Sequence, residues 1–375
     1  MVLTPFVLPG EEAQVALEPA KGGLYRGRVT ALRTASPHRV EPGCPSFGRC
    51  GGCHYQHAAY PFQVSAKAEI LREQLRRVGR IEWPGEIAAV TGEPWRYRNR
   101  VQVHFGEAGA GYFAAASHEL VPVEVCPVAW EPIENAIRTL AGMREYEQFP
   151  RFLRTLELFT NGTELQVNVV ESGRRLARWF FDWLGEAIPG ATAPALDYSA
   201  CGLAFQVSHD SFFQVNRFLI EDLVEAATGG AAGGFAVDLY AGVGLFSLAL
   251  AKRFERVLAV EAAGSAVRDL AENAARAARP VETRQARVEE ALAGMAERPD
   301  FVIADPPRAG LGKAVVRELI RLGAPEMSLV SCDPATLARD LGALAAGGYA
   351  IEKVALIDLF PQTYHIESVV RLRRD

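Results

Sequence analysis

Apolar and polar positions alternate in short bursts over the first 40 residues. VLPGEEAQVALEP carries Pro-Gly punctuation and then alternation, and YRGRVTALRT continues it with basic residues interleaved. Short strands of a small barrel are expected over residues 1–40. In SAKAEILREQLRRVGR (65–80) the period changes: Ile70, Leu71, Leu75 and Val78 share one apolar face, Ser65 can cap the start and Gly79 can end it. That pattern predicts a helix. Arg72, Arg76 and Arg80 recur on it as either a solvated face or one turned to phosphates. WRYRNRVQVHF (95–105) reads as a strand with Trp95, Tyr97, Val101, Val103 and Phe105 on one face. Arg96, Arg98, Arg100, Gln102 and His104 fall on the other, and three arginines on one face suit phosphate contacts. RTLELFTNGTELQVNVVES (154–172) predicts a hairpin about Asn161-Gly162, so Asn-Gly-Thr is a turn rather than a glycosylation site.

Beyond residue 200 apolar runs alternate with Ala-rich helical segments. FAVDLY, RVLAVE, DFVIADPP and MSLVSCD each precede a helix. Repeated strand–helix units predict a parallel sheet covered by helices. The expected class is α/β, with a doubly wound Rossmann-like domain over 201–375, a strand-rich central domain over 41–200 and the small barrel over 1–40.

Composition adds few constraints. The 375 residues exceed one compact core, and 49% hydrophobic with 23% charged residues is an ordinary globular balance. The formal charge of -5 advertises no nucleic-acid binding, so any such contact must come from local patches. MVLTPFVLPGEE lacks the basic and apolar regions of a signal peptide, and no run of about 18 apolar residues occurs. A soluble cytoplasmic protein with no membrane partner is expected. In that compartment Cys44, Cys50, Cys53, Cys126, Cys201 and Cys332 should remain thiols, bind metal or do chemistry. CGGC at 50–53, with Cys44 upstream, could hold a metal, form a disulfide or do redox work. Spacing alone leaves zinc and iron–sulfur equally open.

The strand ends carry the candidate chemistry. VDLYAGVGLFSLALA places Asp238 at the end of a buried strand and Gly242 and Gly244 in the turn before a helix. Glycines there let a ligand approach the backbone, and Glu261, ending the next strand, can accept from ribose hydroxyls. A dinucleotide is weakened because Ser247 stands where the third glycine belongs; S-adenosylmethionine needs no such phosphate cradle. ADPPRAGL (304–311) puts Asp305 at the same edge, and Arg308 stands where enzymes of exocyclic amino groups carry a stacking aromatic, which favours chemistry at a carbon. SLVSCDPATLARDL places Cys332 at a strand end before a helix, where a lowered pKa would favour thiolate. Glu367, at a strand start in HIESVVRL, is the candidate base, with His365 and Asp358 as weaker ones. Gln214, in SFFQVN, could reach the cofactor through its amide.

Together PGCPSFGRCGGCHYQ, SFFQVN, DLYAGVGLFSL, DPPRAGL, VSCDPATLARD and FPQTYHIE resemble the RNA uracil-5 methyltransferases, over about residues 5–372. The resemblance implies a class I S-adenosylmethionine methyltransferase fold and methylation of carbon 5 of a uridine. It implies a nucleophile at Cys332, a base at Glu367 and cofactor contacts at Gln214, Tyr240, Glu261 and Asp305. In the branch acting on 23S ribosomal RNA, cysteines matching Cys44, Cys50, Cys53 and Cys126 hold a [4Fe-4S] cluster, which the resemblance favours here over zinc. Transfer RNA as substrate, a non-catalytic RNA-binding or folding protein, and a zinc-bound nicotinamide oxidoreductase are the rival readings. A monomer is expected. Three departures stand out. The family's N-terminal OB-like TRAM barrel is clipped over 1–40. Asp333 replaces the usual asparagine after the nucleophile, and would raise the thiol's pKa unless it points away. Leu245 stands where a polar residue often meets the cofactor.

Overall fold

The computed structural model describes residues 1–191 and 193–374. The N-terminal strands are β1 (Val2–Leu3), β2 (Glu12–Pro19) and β3 (Tyr25–Thr34), followed by α1 (Tyr60–Arg77) and β4 (Ile87–Val90). The middle of the chain gives β5 (Arg100–Gly106), β6 (Gly109–Phe113), β7 (Leu120–Pro122), α2 (Glu131–Arg144), β8 (Leu153–Thr160), β9 (Leu165–Ser172) and α3 (Arg178–Ala187). The hairpin β10 (Ala195–Ala200) and β11 (Leu203–Ser208) and the helix α4 (Ile220–Thr228) lead into the strand–helix units. Those are β12 (Gly233–Leu239), α5 (Leu245–Leu250), β13 (Phe254–Glu261), α6 (Gly264–Arg276), β14 (Val281–Gln285), α7 (Val288–Ala293), β15 (Phe301–Ala304), α8 (Gly312–Leu322), β16 (Glu326–Ser331) and α9 (Pro334–Ala346). The chain closes with β17 (Ala350–Ile357) and β18 (Glu367–Arg373).

The apolar runs beyond residue 200, with β4 added at one edge, form an eight-stranded sheet in the order β14-β13-β12-β15-β16-β18-β17-β4. Its central strands are buried on both faces because helices cover both, which is why Val237, Val260, Val302 and Leu329 sit in runs rather than in alternation. β12 to β16 run parallel, while β18 is antiparallel to both β16 and β17. The last strand therefore begins at the edge where the parallel strands end.

The central sheet, β7-β6-β5-β8-β9, packs against α2 and α3 around Val103, Leu156, Ile133, Ile137, Phe149 and Phe180. The expected hairpin is β8–β9. Asn161 Oδ1 accepts from the backbone N–H of Thr163 and Glu164 at 3.0 and 2.8 Å, closing the turn. Gly162 has φ +101°, and a side chain there would strike Trp130.

Four expectations from periodicity are corrected. The helix expected from Ser65 begins at Tyr60 with Pro61 in its first turn, and Ser65 donates to the Pro61 carbonyl inside it. Leu71 and Leu75 are fully buried, whereas Ile70 and Val78 are exposed. The arginine face expected over 95–105 is not a phosphate-contacting row. Arg96 turns back at φ +54° and pairs with Glu134 at 3.0 Å. Arg100 is buried over the Phe159 ring at 4.2 Å and donates to the Ser211 carbonyl at 2.9 Å. Alternation specified the face but not the partners waiting on it. The first 40 residues form an open three-stranded sheet, β1-β3-β2, among the described residues, not a closed barrel. Finally, α1 and β4 lie within the 41–200 segment yet join the catalytic layer: α1 packs on α9 and β4 pairs with β17. No helix among the described residues is long and apolar enough to cross a membrane.

One buried ion pair ties α1 to this sheet. Lys67 Nζ lies 2.6 Å from Asp358 Oδ1 and also donates to the Phe360 carbonyl at 2.9 Å; both side chains are buried. Removing one partner leaves a buried charge uncompensated, so Lys67→Met is expected to cost about 3–5 kcal/mol. Urea unfolding should also show much of this loss recovered in Lys67→Met/Asp358→Leu, where both charges are gone. A double variant no better than the single one would mean that the Phe360 contact, not the charge pair, carries the effect.

Candidate active site

The sheet topology sets the positions of the candidate residues. Tyr240, Glu261, Asp305 and Cys332 lie at or just beyond the ends of four parallel strands, so they share one edge. Ser331 pairs with Ser368 at the end of the β16–β18 ladder, so Cys332 and Glu367 each lie one residue beyond that last pair, on the same edge. Open α/β sheets bind ligands at this edge.

The turn after β12 is built for close approach. Tyr240 and Gly242 have φ +62° and +54°, and no atom lies within 4 Å of where a Gly242 side chain would begin. Gly244, at φ +97°, packs against Leu270, whose Cδ1 a side chain would overlap. Glu261 braces the turn: its Oε2 accepts from the Gly242 N–H at 3.0 Å and its Oε1 from Ala262 and Ala263, both at 2.7 Å. Leu245 is buried among apolar neighbours. Gln214 has its carbonyl held by Asn99 Nδ2 at 3.1 Å, while its side-chain amide makes no hydrogen bond among the described residues.

Ser247 was legible only as a missing glycine. Its hydroxyl donates to Asp238 Oδ2 at 2.5 Å, and Asp238 Oδ1 is buried without a partner. Burial pushes the Asp238 carboxyl up to about 7. The pair anchors the start of α5 to the end of β12, beneath the turn that carries both glycines.

Around Cys332 the charges differ from those expected of a helix-activated thiol. Cys332 is half-buried, and burial, then the Glu367 and Asp305 carboxylates, push its pKa up, with Arg308 opposing. Desolvation and two acids outweigh the helix N-terminus. Glu367 and Asp305 are themselves raised, chiefly by burial, with Asp305 also acting on Glu367. Neither carboxylate makes a side-chain hydrogen bond among the described residues. Asp333 does not contribute to this field. Its carboxylate caps α9, accepting from Ala335 and Thr336 N–H at 3.1 and 2.8 Å, and points away from the thiol. The weaker base candidates lose ground. Asp358 is spent on Lys67, and His365 is pushed down to about 4 by burial and by Arg308, whose Nη2 lies 3.4 Å from its Nδ1.

The four N-terminal cysteines converge although Cys126 is 73 residues beyond Cys53. Cys44, Cys50, Cys53 and Cys126 line one cavity of about 380 Å³, shared with Arg308, Phe360, Tyr364 and His365 from the catalytic edge. None is in a disulfide. Burial, reinforced by the neighbouring thiols, raises Cys50 and Cys126 and pushes Cys53 up to about 12. Tyr112 stands against Cys126 and Gln56 against Cys53, so the buried Tyr112 Oη and Gln56 Nε2 face the thiols. Buried donors turned to four thiols fit a sulfur-rich group that would accept from them. Among the described residues, no three His, Cys, Asp or Glu side chains are gathered tightly enough for a single metal ion.

Comparison with known proteins follows this geometry. A family model described as tRNA (Uracil-5-)-methyltransferase matches residues 195–301 and 284–375. The chain is 33% identical to the 23S rRNA (uracil(1939)-C(5))-methyltransferase RlmD of Halomonas elongata, over 97% of this chain and 83% of that one. It is 31% identical to the protein of the same name from Pseudomonas entomophila, over 96% and 86%. Among solved structures, the tRNA (uracil-54, C5)-methyltransferase of Pyrococcus abyssi, in complex with S-adenosyl-L-homocysteine, superposes with a TM-score of 0.83 at 26% identity, covering 99% of this chain and 94% of that one.

Proposed function

The chain belongs to the RNA uracil-C5 methyltransferase family, and we propose that it methylates carbon 5 of a uridine in 23S ribosomal RNA with S-adenosylmethionine. The observation that carries this reading is the nearness of Glu367, whose carboxyl acts on the Cys332 thiol, at the rim of the edge where Gly242 leaves the backbone open. Carbon 5 of uracil is a poor nucleophile. Addition of the Cys332 thiolate to carbon 6 makes an enolate, whose carbon 5 attacks the sulfonium methyl. The methyl–sulfur bond breaks, leaving S-adenosylhomocysteine. Glu367 then takes the proton from carbon 5, and the electrons of that bond expel Cys332. Covalent catalysis thereby splits one hard step into easier ones. Arg308 offsets the acids around the thiol. Gln214, Tyr240, Glu261 and Asp305 contact the cofactor, and Gly242 and Gly244 admit it. The uridine is flipped or in a loop, because a stacked carbon 6 is beyond reach of Cys332.

Transfer RNA is the second reading, favoured by the likeness to the Pyrococcus abyssi enzyme along nearly the whole chain. The three N-terminal strands serve in RNA binding, and the enzyme acts as a cytoplasmic monomer.

Cys44, Cys50, Cys53 and Cys126 hold a [4Fe-4S] cluster. A single zinc ion draws its sulfurs to about 2.3 Å, whereas these thiols ring a cavity. The cluster's contribution is structural, cross-linking three chain segments, and no step of methyl transfer passes through it. Protein purified without oxygen should contain about four irons and as many acid-labile sulfides per chain; stoichiometric zinc instead would overturn the assignment.

The substrate test uses the same anaerobic protein with radiolabelled S-adenosylmethionine and unmodified 23S ribosomal or transfer RNA transcripts, followed by mapping of 5-methyluridine. Label in ribosomal RNA alone is the expected result. Label in transfer RNA alone would keep the chemistry and replace the substrate, and label in neither would reject the reading.

A further inference from the structure

The cysteine loop and the loop that delivers Glu367 are joined. Gln362, at φ +67°, accepts on its carbonyl from the N–H groups of His54 and Tyr55 at 2.8 and 2.9 Å. Its side-chain Oε1 accepts from Gln63 Nε2 at 2.9 Å, and its own N–H donates to Gln63 Oε1 at 3.0 Å. Two of these hydrogen bonds fix His54 and Tyr55, just after Cys53, against the segment before Glu367, and the other two tie that segment to α1.

The junction builds a row of rings. His54 lies against Tyr364 with centroids 4.1 Å apart, Tyr364 against His365 at 4.7 Å, and His365 edge-on to Phe360 at 5.6 Å. His365 adjoins Arg308, which borders Cys332. Tyr364 is 52% exposed, so about half of a held aromatic side chain is open to solvent. Glu367 is three positions further along the chain, a backbone reach of at most about 11 Å. Methyl transfer neither uses this ring nor explains its exposure. A polynucleotide whose uridine lies at Cys332 must carry its neighbours out of the same mouth, and unstacked bases are held by aromatic faces.

We propose that Tyr364, backed by His54 and His365, is a stacking subsite for the nucleobase adjoining the target uridine, so that the cysteine-bearing loop takes part directly in reading RNA. The inference rests on the RNA-methylation reading. Each ring has a stated part. Tyr364 offers the exposed ring, His54 fixes its tilt from the cysteine side, and His365 links it to Arg308 at the reacting centre.

The test compares wild type with Tyr364→Ala, Tyr364→Phe and Tyr364→Trp. The probes are a 23S ribosomal RNA fragment carrying the target uridine in unmodified form and the same fragment made abasic at either flanking position. Tyr364→Ala should raise KM for the intact RNA about 5- to 150-fold, the equivalent of one stacked base. KM for S-adenosylmethionine and iron content should stay near wild type, and Phe and Trp should restore RNA affinity. One abasic fragment should be as poor for wild type as the intact RNA is for Tyr364→Ala, and Tyr364→Ala should not distinguish the two RNAs. Additive losses, or an RNA KM unchanged in Tyr364→Ala while wild type methylates normally, would overturn the subsite alone. If wild type neither binds nor methylates the fragment, the functional reading falls and the subsite with it.

Discussion

Cys332→Ala should bring methyl transfer to background and abolish any covalent protein–RNA complex, with cofactor binding retained. The expected loss is on the order of 10⁴-fold or more, the scale seen when the nucleophile of a covalent mechanism is removed. Cofactor binding should survive because the contacts proposed for it lie at the ends of β12, β13 and β15 and at Gln214, whereas Cys332 follows β16. The wild-type pH profile checks the same assignment. Cys332 reacts only after losing a proton, and burial with the adjoining acids raises its pKa. The Glu367 and Asp305 carboxyls are raised as well, and a base must also be ionised to act. Both requirements have the same sign, so the single-turnover rate should climb as pH rises through neutrality and fall on acidification. A flat profile from pH 5.5 to 9 would show that bound RNA and cofactor remove the burial effect. Full activity in Cys332→Ala would end the covalent mechanism.

The sheet was legible because strands buried on both faces must be continuously apolar, and runs such as FVIA and MSLV leave few alternatives. Residues that close such runs share one edge whatever the loops do, so Asp305 and Cys332 could be placed beside one another from sequence. Other features depend on partners distant in the chain. Alternation over 95–105 gave the right buried face but could not say that Arg96 meets Glu134 or that Arg100 lies over Phe159. The acidity of Cys332 was misjudged because a helix N-terminus is visible locally, whereas Glu367, 35 residues on, is not. Asp333 was an ambiguous departure until its capping bonds gave its direction. The contact between the cysteine loop and residues 360–365 joins segments about 300 positions apart and left no periodic trace.

Glu367→Gln should separate the two halves of the reaction. Addition of Cys332 to carbon 6 and attack on the methyl group do not need a carboxylate at 367, and the amide keeps the shape of the glutamate. Methylation should therefore proceed once. Removal of the carbon 5 proton should then fail, trapping methylated RNA on Cys332. Turnover should drop by about 10²–10⁴-fold, the usual worth of a positioned base. A denaturing gel should show a slow-moving protein–RNA band approaching one RNA per chain, carrying label from the cofactor's methyl group. The substitution also removes the acid that acts on Cys332 and neighbours Asp305. The first half-reaction should consequently reach its maximum at lower pH than in wild type, because thiolate forms with one repelling charge fewer. Substitution at Asp358 should instead mimic loss of Lys67 and lower stability without trapping, since its carboxylate is committed to that lysine. Normal turnover without adduct in Glu367→Gln would reassign the base, and Asp305, the raised carboxyl that acts on both Glu367 and Cys332, would be tested next.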